Sequence, residues 1–248
     1  LDNHDVIAQS LVPVMRGRSD LRIESGNVDY DRMQIKIISR EMRREIAVGD
    51  DVCAGVRIEN SETGLASLTA TPFVLRLVCL NGMARADGKL KQIHLGGRSS
   101  GEEAVAHLYS YETQSLEGAV TFLKFRDIIG NALLEPGFEE IVRRMRGAAE
   151  EPYAGDPVAV ANTLAEVFGL LEAERILVQG NLYAEPRTRW GMVNAVTAAA
   201  NTTARYDRSD ELQKVGGQVL DLAGSAWRDV SNANGKYANV TDLALRRN

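Results

Sequence analysis

Alternation dominates the first hundred residues. Met33, Ile35 and Ile37 alternate with Gln34 and Lys36, the period of a strand that buries one face. Val52, Ala54, Val56 and Ile58 alternate in the same way with Cys53, Arg57 and Glu59. Between these runs, Met42 to Val48 reads as a further short strand, and Gly49-Asp50-Asp51 as a turn. The stretch from Ser67 to Leu80 is apolar on both sides, the pattern of a strand covered on both faces, with Pro72 confined to an edge or a bulge. Asn81-Gly82 and Asp87-Gly88 are turn signals, because these residues accept positive φ at little cost. Lys89 to Leu95 then reads as a return strand. The order predicts a meandering, mostly antiparallel sheet.

The period changes after Gly101. Val105, Leu108, Leu116, Val120 and Leu123 predict one long helix or two in tandem. Phe138, Ile141, Val142 and Met145 follow the i, i+3, i+4, i+7 spacing, with Arg143, Arg144 and Arg146 on the other side. Gly147 and Pro152 close that element. Asp156-Pro157 starts another helix, with an N-cap carboxylate and a proline in the first turn, and Val160, Leu164, Val167 and Leu171 continue its face. A further helix runs from about Arg187 to Ala204, and a last one starts near Ser209 with Leu212, Val215, Val219 and Leu222. The tail after Trp227 is rich in Asn, Ser and Gly and reads as loosely held. Strands that precede helices, rather than alternate with them, make the fold class α+β. The expected organisation is a β-rich part over 1–98 and a helical part over 99–248, packed on the sheet as one domain.

Composition changes this picture little. The 248 residues carry 29 Lys and Arg against 34 Asp and Glu, a net charge of −5, and 44% are hydrophobic, which is ordinary for a globular chain. No apolar run approaches the roughly 20 residues needed to cross a bilayer, so no membrane partner is expected. No signal segment opens the chain, and its start at Leu1 rather than Met leaves room for an upstream stretch. Two cysteines are too few for a disulfide framework and favour a reducing, cytoplasmic setting. The acidic balance lowers the expectation of nucleic-acid binding, but charge is uneven. Residues 82–98 hold Arg85, Lys89, Lys91 and Arg98 against Asp87 alone, and residues 16–44 hold eight basic side chains against five acidic.

The chemistry-bearing residues exclude more than they propose. There is no P-loop, no G-x-G-x-x-G after a strand and no nucleophile elbow. His4, His94 and His107 are dispersed, and Cys53 and Cys79 form no C-x-x-C, so neither a metal nor another cofactor is expected. Cys79 reads as a small buried hydrophobe. Cys53 shares the polar phase of its strand with Arg57, a neighbour able to lower a thiol pKa, though a structural role is the favoured reading. Glu102-Glu103 and Glu139-Glu140 fall in first turns of helices, where they complement the dipole. The loop Gly96-Gly97-Arg98-Ser99-Ser100-Gly101 is either an anion cradle or a plain connector. Arg76 interrupts an apolar strand, and a buried guanidinium must be ion-paired or face a ligand.

Two strings carry a family resemblance. Ala54-Gly55-Val56-Arg57-Ile58-Glu59-Asn60-Ser61, followed by Phe73-Val74-Leu75-Arg76-Leu77-Val78-Cys79-Leu80-Asn81-Gly82-Met83, resembles the phage/plasmid-like family of unknown function numbered nine-three-two. Thr188-Arg189-Trp190-Gly191-Met192-Val193-Asn194-Ala195-Val196-Thr197 is similar to that family's later helix. The resemblance spans roughly residues 30 to 225 and implies a protein of phages, plasmids or integrated elements, with no assigned activity. The order of strands and long helices is also similar to that of ring-forming single-strand annealing proteins, which hold the DNA backbone in a basic groove between a β-hairpin and a helix. That likeness implies a non-enzymatic DNA-binding protein of recombination, a homo-oligomer and possible ring, acting on single-stranded DNA without a cofactor. Its groove would be lined by Arg76, Arg85, Lys89, Lys91 and Arg98, with Lys124 and Arg126 from the following helix. The alternative is a structural or interaction protein of the same elements.

Overall fold

Strands precede helices along the chain, after a helical prelude. The computed structural model describes residues 1–30, 32–64, 67–77, 81–84, 110–203 and 205–233. Helices α1 (Asn3–Val6) and α2 (Val12–Gly17) flank a π-helical segment, Ile7–Leu11. The Asp2 carboxylate caps the start by accepting from the His4 N–H at 2.7 Å. This corrects the expectation that the first hundred residues are strands throughout.

Strands β1 (Leu21–Val28), β2 (Met33–Ala47), β3 (Asp50–Asn60), β4 (Thr69–Arg76) and β5 (Asn81–Ala84) form one sheet in sequence order. β1 runs antiparallel to β2, with Leu21 opposite Ser39 and Val28 opposite Met33. Three details differ from the expected meander. β2 is a single strand of 15 residues where two were expected. Its exposed Arg40 and Glu41 break the alternation of side chains but not the strand. The turn into β3 is Val48-Gly49, Gly49 sitting at φ +76, so Asp50 and Asp51 already belong to β3. Asn81-Gly82 opens β5 rather than making a turn. The Asp87-Gly88 turn and the Lys89–Leu95 strand lie outside the described residues.

The helices are α3 (Tyr111–Ala132), α4 (Glu135–Glu150), α5 (Pro157–Phe168), α6 (Glu172–Ala184), α7 (Arg189–Asn201), α8 (Tyr206–Asp221) and α9 (Gly224–Asn232). Asp156 caps α5 as the sequence predicts, accepting from the Val158 and Ala159 N–H groups at 3.0 and 3.4 Å. Gly169 ends α5 in the left-handed region, so Leu171 does not continue its face and instead precedes α6. Trp227 is buried within α9, so residues 228–232, expected to be part of a loosely held tail, are helical, and the tail from 234 on lies outside the described residues.

The chain divides into two compact units, each drawing on strands and helices. The first comprises Leu1–Arg43, Cys53–Phe73 and Ala86–Phe138. Its core gathers Val6, Leu11, Met33, Ile35, Ile37, Val56 and Ile58 with Phe122, Phe125 and Ile129 of α3. Full burial of each such side chain stabilises by about 1.5–3 kcal/mol. Arg18 ties down the end of α3 by donating to the Leu133 carbonyl at 3.1 Å while pairing with Asp20 at 2.6 Å. The second unit comprises Arg44–Val52, Val74–Arg85 and Glu139–Asn248. Its centre is α7, where Met192, Val193, Ala195, Val196, Ala199 and Ala200 are all buried.

Candidate functional site

In the first unit, the face of the sheet away from the aliphatic core is polar. Because side chains alternate, the strand phase that sends Met33, Ile35, Val56 and Ile58 inward sends Gln34, Lys36, Arg57 and Glu59 to the other side. Glu59 is the hub. It accepts from Gln34 Nε2 of β2 at 2.8 Å and from Thr69 Oγ1 of β4 at 3.4 Å, and it pairs with Arg57 Nη2 at 3.4 Å. Arg57 is only 2% exposed. Arg57 and Glu59 both act on the charge of Lys36. Burial pushes the Lys36 ammonium down to about 8, the Arg57 guanidinium pushes the same way, and Glu59 opposes them. Nearby, Cys53 feels Glu24, Arg22 and Arg43. Burial, then Glu24, raises its thiol to about 11 against the pull of the two arginines. Desolvation outweighs the two guanidiniums, and Arg57, the neighbour named from the sequence, is not among the charges that lower this thiol.

In the second unit, the two strings that carry the resemblance meet at one carboxylate. Arg76, from the end of β4, donates through Nε to Asp50 Oδ1 at 2.7 Å. Its Nη1 and Nη2 donate to Glu185 Oε1 and Oε2 at 2.6 and 3.3 Å. Trp190, in the first turn of α7, donates from its indole N–H to Asp50 Oδ2 at 2.8 Å. Burial alone would push Arg76 down, but hydrogen bonds to Asp50 and Glu185 carry it above its ordinary value. One guanidinium is thus shared by two carboxylates, one of them also bound by an indole.

The residues around Trp190 are explained by the same geometry. Thr188 caps α7 by accepting from the Gly191 N–H at 3.1 Å. A Cβ on Gly191 would come 1.9 Å from the Pro186 carbonyl oxygen, so only glycine fits there. Arg189 lies over the Trp227 ring, 4.2 Å from its centroid, pairs with Glu151 at 3.0 Å and donates to the Leu220 carbonyl at 3.2 Å. Beside it is an open groove of about 560 Å³, whose Arg144 is bonded to Asp221. Its two guanidiniums face the carboxylates Glu150, Glu151 and Asp221, which leaves no net positive charge for an anion.

The described members of the predicted binding set fall in different units. Arg76 is buried in the second unit against its two carboxylates. Lys124 and Arg126 lie on α3 in the first unit, Lys124 exposed and Arg126 half-buried. Arg85, Lys89, Lys91 and Arg98 lie outside the described residues. Lys36, which sequence reasoning did not single out, was signalled only by a lysine occupying the same strand phase as Gln34. Among the described residues, no group of three or more His, Cys, Asp or Glu is placed to hold a metal ion, and no helix is long and apolar enough to cross a membrane.

These features define an α+β protein, a meandering sheet followed by helices, whose shared motifs brace a buried ion cluster. A family model described as a domain of unknown function, DUF932, matches residues 14–227, and the chain belongs to that family. No curated protein and no solved structure matches the chain.

Proposed function

We propose that this chain is a non-enzymatic, self-associating protein that binds single-stranded nucleic acid through backbone phosphates, within a phage, plasmid or integrated element. The observation that carries the reading is the half-buried ammonium of Lys36 on the polar side of the first unit, with the buried Arg57 guanidinium adding to its positive field and Glu59 opposing it. Positive potential on a chain of net charge −5 is local, and a local patch is what phosphate requires. Lys89, Lys91 and Arg98, which lie outside the described residues, are the further contacts in this reading. Arg76 is left out, because its charge is already taken up by Asp50 and Glu185. The resemblance to phage- and plasmid-like proteins supports the setting.

Fluorescence anisotropy with a labelled oligothymidylate at two salt concentrations tests this. Lys89→Glu with Lys91→Glu should weaken binding to any sequence alike and flatten the salt dependence by about one unit per lost contact. Equal affinities and slopes for variant and wild type would retire the reading. A purely structural or interaction role is the second reading, favoured by an exposed apolar stripe on α3.

A further inference from the structure

Helix α3 is apolar on two sides. Phe122, Phe125 and Ile129 are buried in the core of the first unit. Leu116, Val120 and Leu123 are 62%, 46% and 47% exposed. At 3.6 residues per turn the exposed three form one stripe, about half a turn round the helix from the core side. No described residue covers it. Their spacing of four and three is that of a two-helix seam.

The charges beside the stripe say what fits it. Glu117 and Lys124 lie along one flank, seven residues apart, and Glu112 and Arg126 lie along the other. Among the described residues none of the four has an ion-pair partner. On each flank the acidic residue is nearer the N-terminus and the basic one nearer the C-terminus. A copy of the same helix laid antiparallel about a two-fold axis near Val120 brings Leu116 against Leu123. It also sets Glu117 opposite the copy's Lys124, and Glu112 opposite its Arg126. A parallel copy puts like charges at the same level.

We propose that α3 is a homodimer interface, pairing antiparallel with α3 of a second copy of this chain through Leu116, Val120 and Leu123. This deepens the self-association in the reading above and is independent of its nucleic-acid part. An isologous contact of this kind satisfies both flanks at once. It also uses Lys124 and Arg126, which thereby face protein rather than phosphate. Asp127 ends the stripe and limits the seam to three apolar side chains per copy. An interface of that size makes a dimer that dissociates on dilution.

Sedimentation velocity on the full chain, without nucleic acid, tests this from 1 to 100 μM. The expected mass at the upper end is twice 27.1 kDa. Glu117→Lys and Lys124→Glu should each raise the dissociation constant about tenfold or more, and the two together should restore it, since the swapped charges again face opposites. Circular dichroism confirms that each variant is folded. A monomer at every concentration overturns both the interface and self-association. An oligomer indifferent to the single changes, or not rescued by the double one, overturns this interface while leaving self-association standing. If a single change lowers thermal stability with no change in mass, the stripe is covered by the chain itself and the proposal fails.

Discussion

Two cations on the sheet, one in each unit, sit in opposite surroundings. In the second unit Arg76 meets two carboxylates, and Trp190 supplies a further hydrogen bond to one of them. All three nitrogens of Arg76 and both oxygens of each carboxylate take part in these bonds, and the net charge of the three ionised groups is negative. In the first unit the half-buried Lys36 feels the buried Arg57 guanidinium, and Glu59 opposes it. The Arg76 cluster has the character of a brace, whereas the Lys36 cluster holds an ammonium that burial and its neighbour push toward neutrality. A cation held at such a cost is the feature on which the proposed phosphate contact rests.

The largest expected effect breaks the brace. Arg76→Met leaves the buried Asp50 and the half-buried Glu185 with no guanidinium between them, and should lower stability by about 3–5 kcal/mol. Urea denaturation followed by tryptophan fluorescence measures it, and a loss below about 1 kcal/mol would show that the cluster is not a brace.

The equivalent change in the first unit should have the opposite sign. The unfolded chain holds the Lys36 proton up to about pH 10.5, and the folded chain only up to about 8. Between these values the unfolded state binds more protons, so this residue's penalty fades as pH rises. Below about 8 both states are protonated and the penalty is complete. Lys36→Met should therefore raise stability near neutrality by on the order of 1–2 kcal/mol, with the advantage shrinking as pH climbs toward 10.5. The same variant should bind oligothymidylate more weakly. A variant less stable than wild type at pH 7 would mean that Lys36 is fully compensated in the free protein, and the contrast between the units would vanish.

The smallest effect concerns Cys53. With its thiol pushed up to about 11, it should resist alkylation at pH 8 in the folded protein. Cys53→Ala should cost about 1 kcal/mol and leave oligothymidylate binding unchanged. Rapid labelling by iodoacetamide, followed by mass spectrometry, would contradict the burial that sets this pKa.

The strands were legible where one face is buried, because the aliphatic core reads only one phase of β2 and β3. What the pattern missed follows from local exceptions. Helix α6 has no Ser, Thr, Asp or Asn at its start: Leu171 holds that position, and Glu174 accepts from its N–H at 2.7 Å. Asn81-Gly82 has the composition of a turn, yet Gly82 lies in β5 with the Gln213 side chain close to its Cα. At the candidate site, Arg76 was conspicuous as a charge in an apolar strand. Its partners were not, since they lie 26 and 109 residues away in sequence, and Asp50 had the appearance of a turn residue. Lys36 was legible as a polar-phase residue, but its altered pKa depends on burial that no spacing encodes.

The brace also has a timetable. Asp50 leaves the ribosome 140 residues ahead of the tryptophan that binds it. Segments 44–52 and 74–85 belong to a unit whose remaining residues begin at 139. A nascent chain that has reached residue 138 therefore holds every segment of the first unit and only fragments of the second. Contacts of such long sequence separation form late and slowly. Until Glu185 and Trp190 are made, Arg76 and Asp50 lack the partners that complete the cluster, and the ends of β3 and β4 that carry them wait for a core not yet synthesised. Truncation anywhere before α7 removes not a dispensable tail but the half of the second unit that its strand ends were built to meet.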